Sequence, residues 1–152
     1  MNTTYKALVF DMDGTIADLY GVNGWLDDLM NEDTRPYDIA EPMYDMDELG
    51  QMLIMAKANG WTIIVTTWLA RNSSKEYKKA TSEAKKNWLA KYNFPYDEIH
   101  CVQYGTTKAN CTRKNGGFQI LIDDNKKVRN GWKLGTTIDA TQDIRNFLKA
   151  LI

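Results

Sequence analysis

The chain has 152 residues, 43% of them apolar, with 19 lysines and arginines against 20 aspartates and glutamates. That length suits one domain with a core of its own, and a net charge of −1 excludes any global demand for a polyanion or a membrane surface. No run approaches the roughly 18 apolar residues needed to span a bilayer, and the opening MNTTYKALVF lacks a basic start followed by an apolar stretch, so a soluble cytoplasmic protein is expected. Cys101 and Cys111 lack CxxC spacing and read as free thiols.

In chain order, short β-rich runs alternate with longer helical patterns, the arrangement that gives parallel strands joined by helical crossovers. The expected strands are Tyr5 to Phe10, Trp61 to Thr66, Ile99 to Val102, Phe118 to Ile122 and Thr136 to Ile138. Between them Met46, Leu49, Leu53 and Ala56 fall at helical spacing, as do Tyr77, Ala80, Ala84 and Trp88, and later Ile144, Phe147, Leu148 and Leu151. Gly60 ends the first of these helices. The expected fold is a single α/β domain, a three-layer α/β/α Rossmann-like sandwich around a mainly parallel five-stranded sheet. Residues 19 to 45 break the rhythm, with a short helix expected around Val22 to Met30 and then the acidic, proline-marked NEDTRPYDIAEPMYD. An insertion after the first strand leaves from the ligand-binding edge of such a sheet, so it reads either as a small cap or as an ordinary long connection.

Chemistry-bearing residues collect at the strand ends. VFDMDGT puts Asp11 and Asp13 two positions apart, on one side of the chain if the backbone stays extended, and Gly14 permits a tight turn. Aspartate and glycine also punctuate strand ends simply as turns. TIIVTTW ends in the hydroxyls of Thr66 and Thr67, and QILIDDN ends in Asp123 and Asp124. Adjacent like charges beyond an apolar strand repel, and a divalent cation relieves them because hard cations favour carboxylate oxygens. Lys108 lies between, in QYGTTKANC.

The ordered set Asp11-Met12-Asp13-Gly14-Thr15, Thr66, Lys108 and Asp123-Asp124 resembles the four motifs of the haloacid dehalogenase superfamily of phosphatases. The resemblance implies that Asp11 attacks phosphorus and forms an aspartyl-phosphate, and that Asp13 serves as general acid and then as base. It further implies that Thr66 holds a phosphoryl oxygen, that Lys108 neutralises charge there, and that Mg²⁺ binds Asp11, the Asp13 carbonyl and Asp124. Asp123 then ligates through water or orients the shell.

DMDGTIADLYG, SEAKKNWLAKYNF and the short interval from Lys108 to LIDD look more narrowly like the 5'(3')-deoxyribonucleotidases and their bacterial and phage relatives, which act on nucleoside monophosphates. In that family Thr67 stands where a second hydroxyl contacts phosphate. The chain departs from the pattern in its short insertion and in Trp68-Leu69, which replaces a proline-containing turn. A short cap also resembles the phosphatase domain of phage polynucleotide kinases, which acts on a nucleic acid 3'-phosphate. Lys75, Lys78, Lys79, Lys85, Lys86 and Lys91 then read either as a backbone-attracting face or as a solvated helix diluted by Glu76 and Glu83. Trp68 and Arg71 are candidate substrate contacts, a base-stacking ring and a polar clamp, unless the tryptophan is simple packing. Tyr20, Trp25, Tyr37 and Tyr44 either contact substrate or anchor the insertion. His100 reads as structural, and Met43, Met46, Met52 and Met55 as core filler.

Overall fold

The computed structural model describes residues 5–112 and 117–152. Residues 1–4, part of the opening stretch read above for a leader, lie outside them.

Strand β1 (Lys6–Phe10) has four consecutive buried apolar residues, Ala7 to Phe10. Such a run suits a strand covered on both faces, and β1 is indeed central. The sheet order is β5-β4-β1-β6-β7, with β4 spanning Trp61–Trp68, β5 Glu98–Val102, β6 Phe118–Asp123 and β7 Thr137–Asp139. Every neighbouring pair is parallel, with Phe10 opposite Val65 on one side and Ile122 on the other.

Helix α3 (Met46–Ala58) starts at Asp45, whose carboxylate accepts from the amides of Asp47 and Glu48 at 3.0 and 3.1 Å. Leu49, Leu53 and Ala56 are fully buried, so the expected stripe faces the sheet. It closes at Asn59 and Gly60, whose φ of 93° suits only glycine. Helix α4 (Lys75–Lys91) is capped by Ser74 and buries Tyr77, Thr81, Ala84, Lys85 and Trp88. Ala80, expected on this stripe, faces solvent. At about 100° per residue, the i+4 step from Tyr77 to Thr81 keeps to the buried side where the i+3 step to Ala80 leaves it.

Helices α3, α4 and α7 (Ile144–Lys149) cover one face of the sheet, packing on Leu8, Phe10, Ile63, Val65 and Ile122. On the other face Ala109 of helix α5 (Ala109–Thr112), Val128 of helix α6 (Lys126–Asn130) and Trp132 cover Ala7, Val9, Ile64 and Leu121. The result is the expected three-layer sandwich.

The segment after β1 is an excursion with a closed stem. Strand β2 (Ala17–Asp18) pairs antiparallel with β3 (Glu41–Pro42), and between them lie a 3-10 turn (Leu19–Gly21) and helices α1 (Trp25–Met30) and α2 (Arg35–Ile39). The helix expected from Val22 begins three residues later, because Gly24 turns left-handed with φ of 80° immediately before Trp25. The excursion is seated on α4. Leu19 and Tyr37 pack with Tyr77 and Ala84, the Tyr77 hydroxyl donates to the Asp33 carbonyl at 2.8 Å, and Glu32 accepts from the Ser74 amide and hydroxyl, each at 2.7 Å.

Both cysteines are free, and His100 sits on edge strand β5 beside Glu98 at 3.3 Å. Among the described residues no helix is long and apolar enough to cross a membrane.

Leu53→Ala should cost about 2–5 kcal/mol, the range for emptying a buried leucine site. Its neighbour Ile54 is 50% exposed, and Ile54→Ala should change stability by under about 1 kcal/mol. Urea unfolding of the two variants checks the assigned face of α3.

Candidate active site

The end of β1 is held extended by the Asp11 amide, which donates to the Ile122 carbonyl at 2.9 Å. The chain then folds tightly, because the amides of Thr15, Ile16 and Ala17 all converge on the Met12 carbonyl at 3.0–3.1 Å. Gly14 has φ of 82°, and a Cβ there would collide with the Asp124 carboxylate. The turn reading and the site reading of DMDGT are therefore one feature, since the turn brings Asp11 and Asp13 to the sheet edge.

Asp11, Lys108 and Asp123 form one buried array. The Lys108 Nζ donates to Asp11 Oδ1 at 2.9 Å and to Asp123 Oδ2 at 2.8 Å. Thr15 Oγ1 donates to Asp11 Oδ2 at 3.0 Å and lies 3.4 Å from Asp124 Oδ1. The second oxygen of Asp123 accepts from the Asn125 amide at 2.9 Å. Carboxylate oxygens of Asp11, Asp123 and Asp124 come within 4.8 Å of one another, a set that could hold a metal ion.

The electrostatics follow from burial and crowding. Burial pushes the Asp123 carboxyl up, the Asp11 charge adds to this, and Lys108 opposes it. Asp124 is pushed up to about 7, by burial first and then by hydrogen bonding and charge from Asp11. Burial alone would pull Lys108 down, but the Asp11 and Asp123 carboxylates and their hydrogen bonds hold its ammonium above the usual lysine range.

Asp13 belongs to a second array that sequence reasoning missed. Its Oδ2 accepts from Lys85 Nζ at 2.9 Å, and the same ammonium donates to Thr67 Oγ1 at 2.6 Å and to the Trp68 carbonyl at 2.9 Å. Burial raises the Asp13 carboxyl above the usual carboxylate range, an effect the Lys85 charge only partly offsets. Lys85 is completely buried, which corrects its assignment to an exposed basic face of α4. Its position gave the signal: it lies one turn from Thr81 and three residues before Trp88, inside the buried stripe.

Thr66 and Thr67 point to opposite sides of the sheet, as strand geometry dictates. Thr66 follows Val65, the partner of Phe10, and so lies alongside Asp11; its buried hydroxyl has no hydrogen-bond partner among the described residues. Thr67 lines the cleft.

The cleft over the acids measures about 430 Å³ and has aromatic and apolar walls. Tyr20, Trp25 and Tyr37 of the excursion form one wall, and Trp68, Arg71 and Tyr104 form the other. The Trp68 and Tyr104 rings lie 5.0 Å apart, and the Arg71 guanidinium stands 5.9 Å from the Tyr104 ring centre. The Trp68 indole N–H is committed to the Thr106 carbonyl at 2.8 Å. Tyr44, by contrast, ties β3 to α7: its hydroxyl donates to the Gln142 carbonyl at 3.3 Å and accepts from the Ile144 amide at 3.3 Å.

No family model matches the chain, and no curated protein matches it either. A solved structure that does match is a D,D-heptose 1,7-bisphosphate phosphatase from Burkholderia thailandensis, with a TM-score of 0.51 over 86% of this chain and 74% of that one. At 17% identity the likeness is one of fold, a parallel sheet between two layers of helices.

Proposed function

We propose that the chain is a Mg²⁺-dependent phosphomonoesterase acting through an aspartyl-phosphate. The observation that carries this reading is the convergence on Asp11 of Lys108, Thr15 and the Asp123–Asp124 pair.

In this reading one Asp11 carboxylate oxygen attacks phosphorus, forming the acyl-phosphate as the ester P–O bond breaks, and Asp13 gives its proton to the departing oxygen. Water then attacks phosphorus and loses a proton to Asp13, so inorganic phosphate leaves and Asp11 is regenerated. Burial holds Asp13 above the usual carboxylate range, the direction a proton donor requires. Lys108 offsets charge beside Asp11, and the neighbouring Thr66 hydroxyl, buried and without a partner among the described residues, is the group we assign to a phosphoryl oxygen.

The donor set fits a hard divalent cation. Asp11 and Asp124 would hold the ion with the Asp13 carbonyl, and Asp123, bound to Lys108 and the Asn125 amide, would ligate through water or orient the shell. When bound, Mg²⁺ supplies charge stabilisation of the transferring phosphoryl group.

For substrate we favour a nucleoside monophosphate. The aromatic walls suit a planar leaving group, with Trp68 and Tyr104 offering ring surface and Arg71 a polar clamp above it. A polynucleotide 3'-end is the weaker reading: Lys85 is internal, and none of the remaining α4 lysines lines the cleft.

Asp11→Asn should lower phosphate release from p-nitrophenyl phosphate with Mg²⁺ by at least about a thousandfold, with an unchanged circular dichroism spectrum. Retained turnover refutes the nucleophile, and release that survives EDTA refutes the metal. A deoxynucleoside 5'-monophosphate should be hydrolysed faster than a 3'-phosphorylated oligonucleotide, with the reverse order pointing to nucleic acid ends.

Metal binding should depend on pH through Asp124, whose folded value of about 7 exceeds its ordinary 3.8. The protonated form is favoured in the folded protein, so this group's stabilisation is complete below pH 3.8 and is lost as the pH rises through 7. Without Mg²⁺, this group lowers the melting temperature across that window. Mg²⁺ should displace the proton, so calorimetry near pH 6 should show proton release that fades above pH 8.

A further inference from the structure

We propose that Lys85 is a positioning residue for the phosphoryl-transfer reaction, fixing the Asp13 carboxyl and the Thr67 hydroxyl so that Asp13 Oδ1 and the Thr67 proton face the cleft. The assignment rests on the phosphomonoesterase reading above.

An ammonium group has three N–H bonds, and Lys85 spends all three within the protein, on Asp13 Oδ2, Thr67 Oγ1 and the Trp68 carbonyl. The Tyr37 ring lies 5.1 Å from Nζ, and the side chain is fully buried. Lys85 therefore has neither a donor nor an opening through which to hold substrate phosphate, and it acts through the groups it touches.

Each contact has a directional consequence. A carboxyl whose Oδ2 accepts from a cation carries its transferable proton on Oδ1, because a proton on Oδ2 would face the ammonium. A threonine hydroxyl that accepts at 2.6 Å turns its own hydrogen away from Nζ. Both groups line the cleft, so the proton for the leaving oxygen and a donor for a phosphoryl oxygen are aimed together. Lys85 also spans three separate parts of the chain: the loop after β1, the end of β4, and Tyr37 of the excursion. Removing one partner of a buried ion pair costs stability whatever its use, so an effect on rate is what separates a positioning lysine from a structural one.

The discriminating readout is the leaving-group dependence of the first displacement, because a misaligned general acid slows that step most for esters whose leaving oxygen needs a proton, whereas the Thr67 contact and the later attack of water are common to all esters. In single-turnover measurements Lys85→Met should lose roughly 100-fold or more in the rate of leaving-group release from a deoxynucleoside 5'-monophosphate, but only about tenfold from 2,4-dinitrophenyl phosphate. Lys85→Gln, which keeps an N–H donor, should recover part of that loss. Equal losses on both esters, or none on either, overturn the assignment. A wild type that hydrolyses neither ester overturns the phosphomonoesterase reading and this assignment with it. Should the variants fail to fold, the wild-type protein still decides. Its Lys85 ammonium should give a slowly exchanging ¹⁵N resonance that moves in Asp13→Asn, and rapid exchange with water would overturn the proposal.

Discussion

Four carboxylates share the carboxyl edge of one parallel sheet, and the surrounding structure is arranged to make that arrangement tolerable. Asp11 and Asp123 are almost withdrawn from solvent, and Asp13 and Asp124 lie just above them. Isolated buried charges of one sign carry a large desolvation cost, so each must find a counter-charge or keep its proton. Lys108 bridges Asp11 and Asp123 from one side of the sheet, and Lys85 reaches Asp13 from the other. Were all four carboxyls ionised, two ammonium groups would leave two negative charges, so the cluster also calls for a bound proton or a cation. The upward shift of Asp124 expresses the same imbalance among protein groups alone.

The two lysines sit in different layers and serve different acids. Lys108 comes from the layer containing α5, with its Nζ 5.5 Å from the Trp68 ring centre, and stands beside Asp11. Lys85 comes from α4, in the layer that also supports the excursion. The sheet itself separates the pair, because Thr66 and Thr67 alternate across it and face one lysine's side each. Adjacent hydroxyls on one strand thus serve two electrostatic environments without competing for one position.

Much of this was legible in the sequence. The five strands could be read from apolar runs bounded by Asp, Gly and Thr, and the array at their ends from the order of its motifs. Three things were hidden for physical reasons. Lys85 sits amid five other lysines on one helix, so composition marked the whole helix as solvated, and only the phase of Tyr77, Thr81 and Trp88 identifies the internal one. The excursion's second helix has only five residues and packs on α4, so it offered no periodicity of its own. The tight turn after Asp11 was announced by Gly14, but its closure by three amides sharing the Met12 carbonyl was not.

The stem formed by β2 and β3 has a consequence for how such a protein can change. Ala17 pairs with Pro42 and Asp18 with Glu41, so the chain leaves the core and re-enters it at adjacent points. Whatever lies between those points is an appendix to the sheet's connectivity, and loop closure penalises a longer appendix only logarithmically. Residues lining one wall of the cleft can therefore be lengthened, shortened or exchanged as a block while strand order and the Asp11–Lys108–Asp123 array stay in place. One wall of the cleft and the buried charge array are in this way carried on separately heritable pieces of one small chain.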